Sequence, residues 1–242
     1  MTWSIIAKDP ATGSFGVAVT TKFFAVGALC PFGAARIGAL ATQAFVNPLY
    51  GTDGLRLLGE GRSAEEIVAV LTAGDPGREV RQLHVIDRDG RTAAHTGGEC
   101  IDWCGHVADE GVSVAGNMLA GPAVIAATLD TFRTRTELPL PERLMAALDA
   151  GEARGGDKRG RQSASVKVLW KEAYPWVDLR VDEHRHPVAE LRRAFEVARH
   201  QLLPFTAGMP KRGDPLGGLP EELTRTILQP PPYRPGGGGS AP

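Results

Sequence analysis

The chain has 242 residues, of which 43% are hydrophobic and 23% charged, which is typical of a globular protein with one large or two small domains. Its formal net charge of −1 gives no electrostatic reason to expect nucleic acid or an anionic membrane as a partner. No apolar run is as long as a membrane span, there is no signal-peptide pattern, and three cysteines do not make a disulfide framework. A cytoplasmic protein with reduced thiols is therefore expected.

The first half of the chain begins with strands and continues with helices. Residues 2–7 and 15–19 predict the two arms of a β-hairpin, joined by a Pro-Ala-Thr-Gly turn. Residues 34–45 are rich in Ala and Gly, which predicts one strand that is closely covered on both faces. Two helices should follow, the first including residues 55–58 and the second beginning with a capping box at residues 63–66.

The second half returns to strands and then alternates. The pattern predicts strands over 83–86, 91–96, 106–108 and 112–115, helices from Pro122 and Pro141, strands over 165–169 and 177–181, and a helix over 187–200. Beyond Pro204 the chain is rich in Pro and Gly, so residues 1–205 are expected to form the domain and residues 206–242 a disordered tail. Two sheets that each need one covered face predict an α+β fold, a four-layer αββα sandwich with mainly antiparallel sheets packed together.

Thr2 is the residue that suggests a chemistry. A small residue behind the initiator methionine is commonly left as the new N-terminus, so removal of Met1 is expected to expose Thr2. A threonine with a free α-amine carries a nucleophile and a base within one residue, which is the chemistry of an amide-bond hydrolase. The alternative is that Thr2 is an ordinary strand residue, as in most chains that begin Met-small-apolar.

Several motifs resemble a bacterial family catalogued as domain of unknown function 1028. They are TWSIIA at 2–7, ATQA at 41–44, NP at 47–48, CIDW at 100–103, GNMLAG at 116–121, GGDKRGRQS at 155–163 and WVDLRVD at 176–182. The resemblance covers roughly residues 2–200. It implies the fold of the N-terminal-nucleophile (Ntn) hydrolases, the superfamily of the proteasome β subunits, in which the catalytic residue opens the first strand. It implies no particular substrate.

A proteasome-like mechanism needs a nucleophile, a base, an oxyanion hole and polar support. Thr2 would supply the hydroxyl, and its α-amine is usefully basic near neutral pH. In proteasome-like members, an aspartate and a lysine from the early strands flank the nucleophile. Here the second strand ends at residues 20–22 without an acidic residue, which is a departure from that pattern. Lys22 or Arg36 is expected to supply the positive charge that lowers the pKa of the amine.

Two later segments are expected to return polar groups to Thr2. Asn117 ends a strand before a helix, so its amide and the neighbouring backbone N–H groups are candidate oxyanion donors. Asp157 is a candidate for orienting the amine, and Arg159 for binding a substrate carboxylate, with Gln162 and Ser163 beside them. The alternative is a turn whose polar side chains satisfy the local backbone.

Gln43 lies near the end of the third predicted strand and Asn47 follows it, and both are expected either to line the same cleft or to anchor its loops.

Four potential metal ligands lie close together in the sequence: Cys100, Asp102, Cys104 and His106. Zinc would require a further good ligand and usually has ligands at paired spacings. Buried structural cysteine is the commoner situation, so no metal site and no cofactor are predicted.

The leading hypothesis is an amidohydrolase that cleaves a small linear or cyclic amide through an acyl-enzyme on Thr2. Its partner would be a small molecule, and the fold class predicts a homo-oligomer. A second hypothesis is a non-catalytic ligand-binding or scaffold protein on the same fold. A third is a metal hydrolase that uses Cys100, Cys104 and His106.

Overall fold

The computed structural model describes residues 2–228, which form two compact units, one up to Phe195 and one from Glu196 onwards. The strands are β1 Thr2–Lys8, β2 Phe15–Thr21, β3 Pro31–Ala34, β4 Gly38–Ala44, β5 Arg81–Asp87, β6 Thr92–Thr96, β7 Gly105–Asp109, β8 Val112–Asn117, β9 Ser163–Leu169 and β10 Val177–Val181. The helices are α1 Pro48–Gly59, α2 Ala64–Ala73, α3 Ala123–Thr134, α4 Leu140–Ala153, α5 Pro187–Gly208 and α6 Glu221–Leu228.

The strands form two antiparallel sheets that pack face to face. The six-stranded sheet has the order β10-β9-β2-β1-β8-β7, and the four-stranded sheet has the order β3-β4-β5-β6. Helices α3 and α4 pack on the outer face of the six-stranded sheet, whereas α1 and α2 pack on the outer face of the four-stranded sheet. The predicted four-layer αββα sandwich is therefore confirmed, with β1 near the centre of the larger sheet.

Side chains of β1 alternate between the two faces of its sheet. Ser4 and Ile6 face the four-stranded sheet, where Ser4 contacts Gln43 and Ile6 packs in a buried cluster with Ala41. Trp3 faces the opposite way, toward α4, where a Cβ on Gly151 would come within 2.9 Å of the indole nitrogen. Because Thr2 shares the face of Ser4, its hydroxyl points into the space between the sheets.

The strand predicted over residues 34–45 is present as β4, but it forms a hairpin with β3, a preceding strand that was not predicted. The turn between them holds Arg36 at φ 65°, in the left-handed region, and Gly38 at φ 149°. A Cβ on Gly38 would lie 2.4 Å from the Ile86 carbonyl oxygen, so only glycine fits there. The hairpin was missed because this turn contains no Pro, Asn or Asp to mark it.

The C-terminal segment also differs from the prediction. Helix α5 continues past Pro204 to Gly208, so the expected domain boundary at residue 205 falls inside a helix. Helix α6 lies within the segment expected to be disordered, and residues 229–242 lie outside the described part of the chain. The expected boundary followed the Pro- and Gly-rich composition beyond Pro204, which does not show where a helix that contains a proline ends. None of the helices within residues 2–228 has both the length and the apolar character needed to span a membrane.

Candidate functional site

Thr2 lies at the start of β1 and is held by its neighbours on both sides. Asn117 of β8 is its register partner, and Thr21 lies across the β1–β2 hairpin, next to the Trp3–Thr20 pair. The Thr2 hydroxyl donates a hydrogen bond to Thr21 Oγ1 at 3.1 Å. The side chain is buried, so this contact fixes the direction of a hydroxyl that has little access to bulk water.

Asn117 is close to Thr2, as predicted, but its amide hydrogens are already engaged. Its Nδ2 atom donates to the Thr2 carbonyl oxygen at 3.4 Å and to Gln82 Oε1 at 3.1 Å. The next two backbone N–H groups, those of Met118 and Leu119, donate to carbonyls of the loop before β7. In this arrangement Asn117 positions Thr2, and these donors are not directed at an oxyanion.

Gln43 also reaches Thr2, as one of its two predicted roles requires. Its Nε2 atom lies 3.4 Å from the Thr2 carbonyl oxygen, 2.7 Å from Gln82 Oε1 and 3.1 Å from the Ala115 carbonyl oxygen. Its Oε1 atom accepts a hydrogen bond from Ser4 Oγ at 2.6 Å. Gln43 thus joins the end of β4 to β1 and β8 of the larger sheet and to β5 of its own sheet.

The polar contacts continue inward to His84, which is completely buried between the sheets. Its Nε2 atom is 2.8 Å from Ser4 Oγ, and its Nδ1 atom is 3.0 Å from Ser113 Oγ. Because the Ser4 hydroxyl donates its one hydrogen to Gln43, it must accept from Nε2, and Nδ1 then accepts from Ser113. Burial, with a smaller effect of the charge on His106, lowers the pKa of His84 to about 3, so the ring is neutral at physiological pH.

Asp157 is buried, but its carboxylate binds the loop after β2 and does not contact the Thr2 side chain. Oδ2 accepts the backbone N–H of Lys22 at 2.7 Å, and Oδ1 accepts that of Arg159 at 2.8 Å. The Arg159 guanidinium lies 3.3 Å from Oδ2. In this structure Asp157 anchors the loop and pairs with the Arg159 guanidinium, while the roles of Asp157 toward the amine and of Arg159 toward a substrate stay predictions.

Gln162 and Ser163 anchor the same loop. Ser163 Oγ donates to the Phe23 carbonyl oxygen at 2.6 Å and accepts from the Val26 N–H at 3.1 Å. Gln162 Oε1 accepts from Lys22 Nζ at 3.4 Å, and its amide nitrogen donates to a carboxylate beyond β10. The structure therefore brings Lys22 and these two residues together around the end of β2, where the polar side chains satisfy local groups.

Asn47 and Arg36 do not contribute side chains to the surroundings of Thr2. Asn47 is the N-cap of α1, where Oδ1 accepts from the Leu49 N–H at 3.1 Å and Nδ2 donates to Asp75 at 3.3 Å. Arg36 is exposed in the β3–β4 turn, at the opposite end of β4 from Gln43. About 17 Å of extended strand separates the two ends, which places Arg36 out of reach of the Thr2 amine.

The cysteine cluster shows ordinary hydrogen bonding. Cys100 Sγ donates to the Arg81 carbonyl oxygen at 3.2 Å, and Cys104 Sγ donates to the Cys100 carbonyl oxygen at 3.4 Å. Burial, together with the nearby Cys104, raises the pKa of Cys100 to about 11, which keeps the thiol protonated. His106 Nδ1 contacts Thr96 Oγ1 at 2.8 Å. Within residues 2–228, no three His, Cys, Asp or Glu side chains are grouped to hold a metal ion.

A cavity of about 390 Å³ opens beside Asn117. It is lined by Ala44, Phe45, Val80, Glu99, Cys100, Ile101, Asn117 and Met118. Two of these residues, Ala44 at φ 68° and Met118 at φ 50°, have left-handed backbone conformations. Such a conformation costs a non-glycine residue about 1–2 kcal/mol, and strained positions of this kind tend to cluster at functional sites.

Two other cavities lie elsewhere on the larger sheet. One, of about 380 Å³, lies on the helix side of β1 and is lined by Trp3, Asp157 and neighbouring polar residues. The larger, of about 670 Å³, lies around Lys8 at the opposite end of β1 from Thr2. The cavity at Lys8 is larger, but no predicted site residue lines it. The cavity beside Asn117 is therefore the better candidate for a substrate site.

Sequence reasoning missed two polar residues of this site, Thr21 and Gln82. The register of the predicted hairpin would have placed Thr21 opposite Thr2, so a signal for it existed. Gln82 could not be found in this way, because it comes from the other sheet and meets Asn117 only when the sheets pack.

Comparisons with known proteins agree with this architecture. Residues 2–191 match the model of a family described as a family of unknown function, DUF1028. A crystal structure of a DUF1028 protein from Silicibacter pomeroyi is 33% identical, covers 90% of this chain and 99% of its own, and has a TM-score of 0.83.

An ancestral β-subunit, Anbu, from Yersinia bercovieri is 14% identical over 86% of this chain and 98% of its own. Its TM-score is 0.39, and at that level the likeness carries no argument. The search of curated proteins gave no match. On the family match and the similarity to the Silicibacter protein, the chain belongs to the DUF1028 family.

Proposed function

We propose that this protein is an amidohydrolase that cleaves a small linear or cyclic amide with Thr2 Oγ1 as the nucleophile. The observation that carries the proposal is the position of the Thr2 hydroxyl. Thr2 is the first residue of β1, and its hydroxyl is oriented by a 3.1 Å hydrogen bond to Thr21. Its side chain shares a sheet face with that of Asn117, which lines the cavity of about 390 Å³. A fixed nucleophile beside a cavity of this size is the minimum that acyl transfer requires.

The reaction requires removal of Met1, which frees the α-amine of Thr2. The amine takes the proton of Thr2 Oγ1, directly or through a water, while Oγ1 attacks the carbonyl carbon of the amide. The C–N bond then breaks, and the α-ammonium returns the proton to the leaving nitrogen. A water then hydrolyses the ester on Thr2. The amine accepts a proton from this water, and Thr2 Oγ1 regains a proton as the acid departs.

The developing oxyanion needs hydrogen-bond donors, and two lie close to Thr2. Asn117 Nδ2 and Gln43 Nε2 are each 3.4 Å from the Thr2 carbonyl oxygen, longer than the usual N–H···O distance of about 2.9–3.0 Å. Breaking these two long contacts costs less free energy than breaking the shorter hydrogen bonds around them, because each is a weak hydrogen bond. Small rotations of these amides would direct them toward an oxyanion beside Thr2.

A mass measurement, a substrate screen and two variants test this proposal. Intact-mass spectrometry should show loss of Met1, and a screen of acylated amines and ring amides should reveal turnover. Thr2→Ala should abolish that turnover, because it removes the nucleophile and leaves the strand intact. Thr2→Ser, which keeps a hydroxyl, should retain part of it. A fully active Thr2→Ala enzyme would refute the mechanism.

A non-catalytic ligand-binding or scaffold protein is the second candidate, and one observation favours it. The side-chain amide of Asn117 donates to acceptors within the protein, and so do the backbone N–H groups of Met118 and Leu119. A binding protein needs no free oxyanion donor. Retention of Met1, together with ligand binding that is unchanged in Thr2→Ala, would support this candidate over the enzyme.

A further inference from the structure

We infer that the cavity beside Asn117 binds an uncharged aromatic group on the acyl side of the substrate. This inference rests on the proposed function, since it assigns the substrate class of the same site. Six of the eight lining residues are apolar or carry a thiol: Ala44, Phe45, Val80, Cys100, Ile101 and Met118. Its volume of about 390 Å³ is within the usual range for sites that bind small molecules.

The cavity is placed to receive the acyl part of an amide. Thr2 and Asn117 are register partners in neighbouring antiparallel strands, so their side chains project from the same face of the sheet. Such side chains are about 5 Å apart at Cβ. In an acyl-enzyme, the acyl carbon is bonded to Thr2 Oγ1, and a substituent that runs along this sheet face toward β8 would meet the wall that contains Asn117.

Phe45 forms a rigid aromatic wall although its side chain is 71% exposed. The Arg81 guanidinium stacks on its ring at 4.9 Å from the centroid and donates to its carbonyl oxygen at 2.6 Å. Arg81 is itself fixed by Asp75, which lies 3.1 Å from its Nε atom and also accepts from Tyr50. An exposed phenylalanine that is held in place by a partly buried ion pair is a preorganised contact surface for another ring.

The charge of the lining disfavours an acidic group. Among the described residues that line the cavity, Glu99 is the charged one, and its carboxylate would repel a second anion. The guanidinium predicted to bind a substrate carboxylate, that of Arg159, lies instead on Asp157. The geometry therefore favours a neutral aromatic acyl group over the acid-bearing ligand suggested by the sequence.

The test uses the full-length Thr2→Ala protein, so that the amides are bound and not consumed. Calorimetry compares N-(3-phenylpropanoyl)glycinamide with N-propanoylglycinamide, which lacks the ring. The ring should tighten binding at least about tenfold through burial of apolar area. Adding Phe45→Ala should weaken the ring-bearing amide about five- to tenfold and leave the ring-free amide unchanged. Phe24→Ala is the matched control, because Phe24 is 58% exposed and does not line the cavity.

The inference is overturned by equal affinity for the two amides, by no binding of either, or by an affinity that Phe45→Ala does not change. Turnover by the wild-type protein is measured separately. Selective binding of the ring without hydrolysis of any amide would uphold this inference and refute the proposed function. Hydrolysis that shows no preference for the ring-bearing amide would refute this inference and uphold the proposed function.

Discussion

Lowering the pH should destabilise this protein, and one contribution to that loss should come from His84. The ring is fully buried, and its pKa is about 3 in the folded chain against an ordinary value of 6.5 in the unfolded chain. Below pH 6.5 the unfolded chain therefore takes up a proton that the folded chain excludes. The stabilising contribution is fully present above pH 6.5 and is lost as the pH falls toward 3.

These two pKa values set the size of the effect. Relative to pH 8, the free energy of unfolding should fall by about 2 kcal/mol at pH 5 and by about 3 kcal/mol at pH 4 from His84 alone. The assay is urea denaturation at a series of pH values on the wild type and on His84→Gln. The amide of the variant can still reach Ser4 but cannot be protonated. His184→Gln is the control, because His184 lies in an exposed turn.

The wild type should show the steep loss of stability, and His84→Gln should have a lower starting stability with a flatter profile below pH 6.5. Identical profiles for these two proteins would refute the account of His84 as a buried neutral ring.

Three further predictions concern the site. Thr21→Val keeps the shape of the strand but removes the oxygen that accepts the hydrogen bond from Thr2 Oγ1. The kcat for any amide that is turned over should therefore fall about tenfold, with KM little changed. An unchanged kcat would show that Thr21 is not part of the site. Asp157→Asn replaces the carboxylate that two backbone N–H groups and a guanidinium now bind. Urea denaturation should show that the free energy of unfolding falls by about 1–3 kcal/mol. A fall of less than about 0.5 kcal/mol would contradict the anchoring role. Arg36→Ala should change neither turnover nor the free energy of unfolding by more than about 0.5 kcal/mol, whereas a large loss of activity would place Arg36 in the site after all.

Local signals predicted much of the scaffold. The capping box at Ser63 forms as expected, with Ser63 and Glu66 bonded reciprocally, and the hairpin of β7 and β8 forms over the predicted residues. These features depend on contacts between residues that are near each other in sequence. The same is true of Thr2, whose position at the start of a strand follows from the pattern of residues 2–7.

The polar layer between the sheets could not be predicted. Gln82 and His84 alternate with apolar residues in β5, a pattern that normally indicates a solvent-facing side. Instead, that side meets the larger sheet, where Ser4, Ser113 and Asn117 supply partners from β1 and β8. Period-two alternation identifies two faces of a strand, but it does not say whether the polar face meets water or another polar face.

The role of Asp157 shows a second limit of sequence reasoning. Its type and position suggested a partner for the Thr2 amine, yet its carboxylate binds the backbone N–H groups of Lys22 and Arg159. Backbone partners leave no trace in residue type, so the sequence alone could not separate a catalytic carboxylate from one that holds a loop.

Intact-mass spectrometry during turnover tests most directly whether Thr2 is an N-terminal nucleophile. The purified protein is mixed with an activated 3-phenylpropanoyl amide and stopped with acid at short times, in parallel with Thr2→Ala. We expect a wild-type mass that lacks Met1 and a transient adduct equal to the acyl group, which peptide mapping assigns to Thr2 and which Thr2→Ala does not form. Retained Met1 in a protein that hydrolyses the amide, or an equal adduct in Thr2→Ala, would contradict the account.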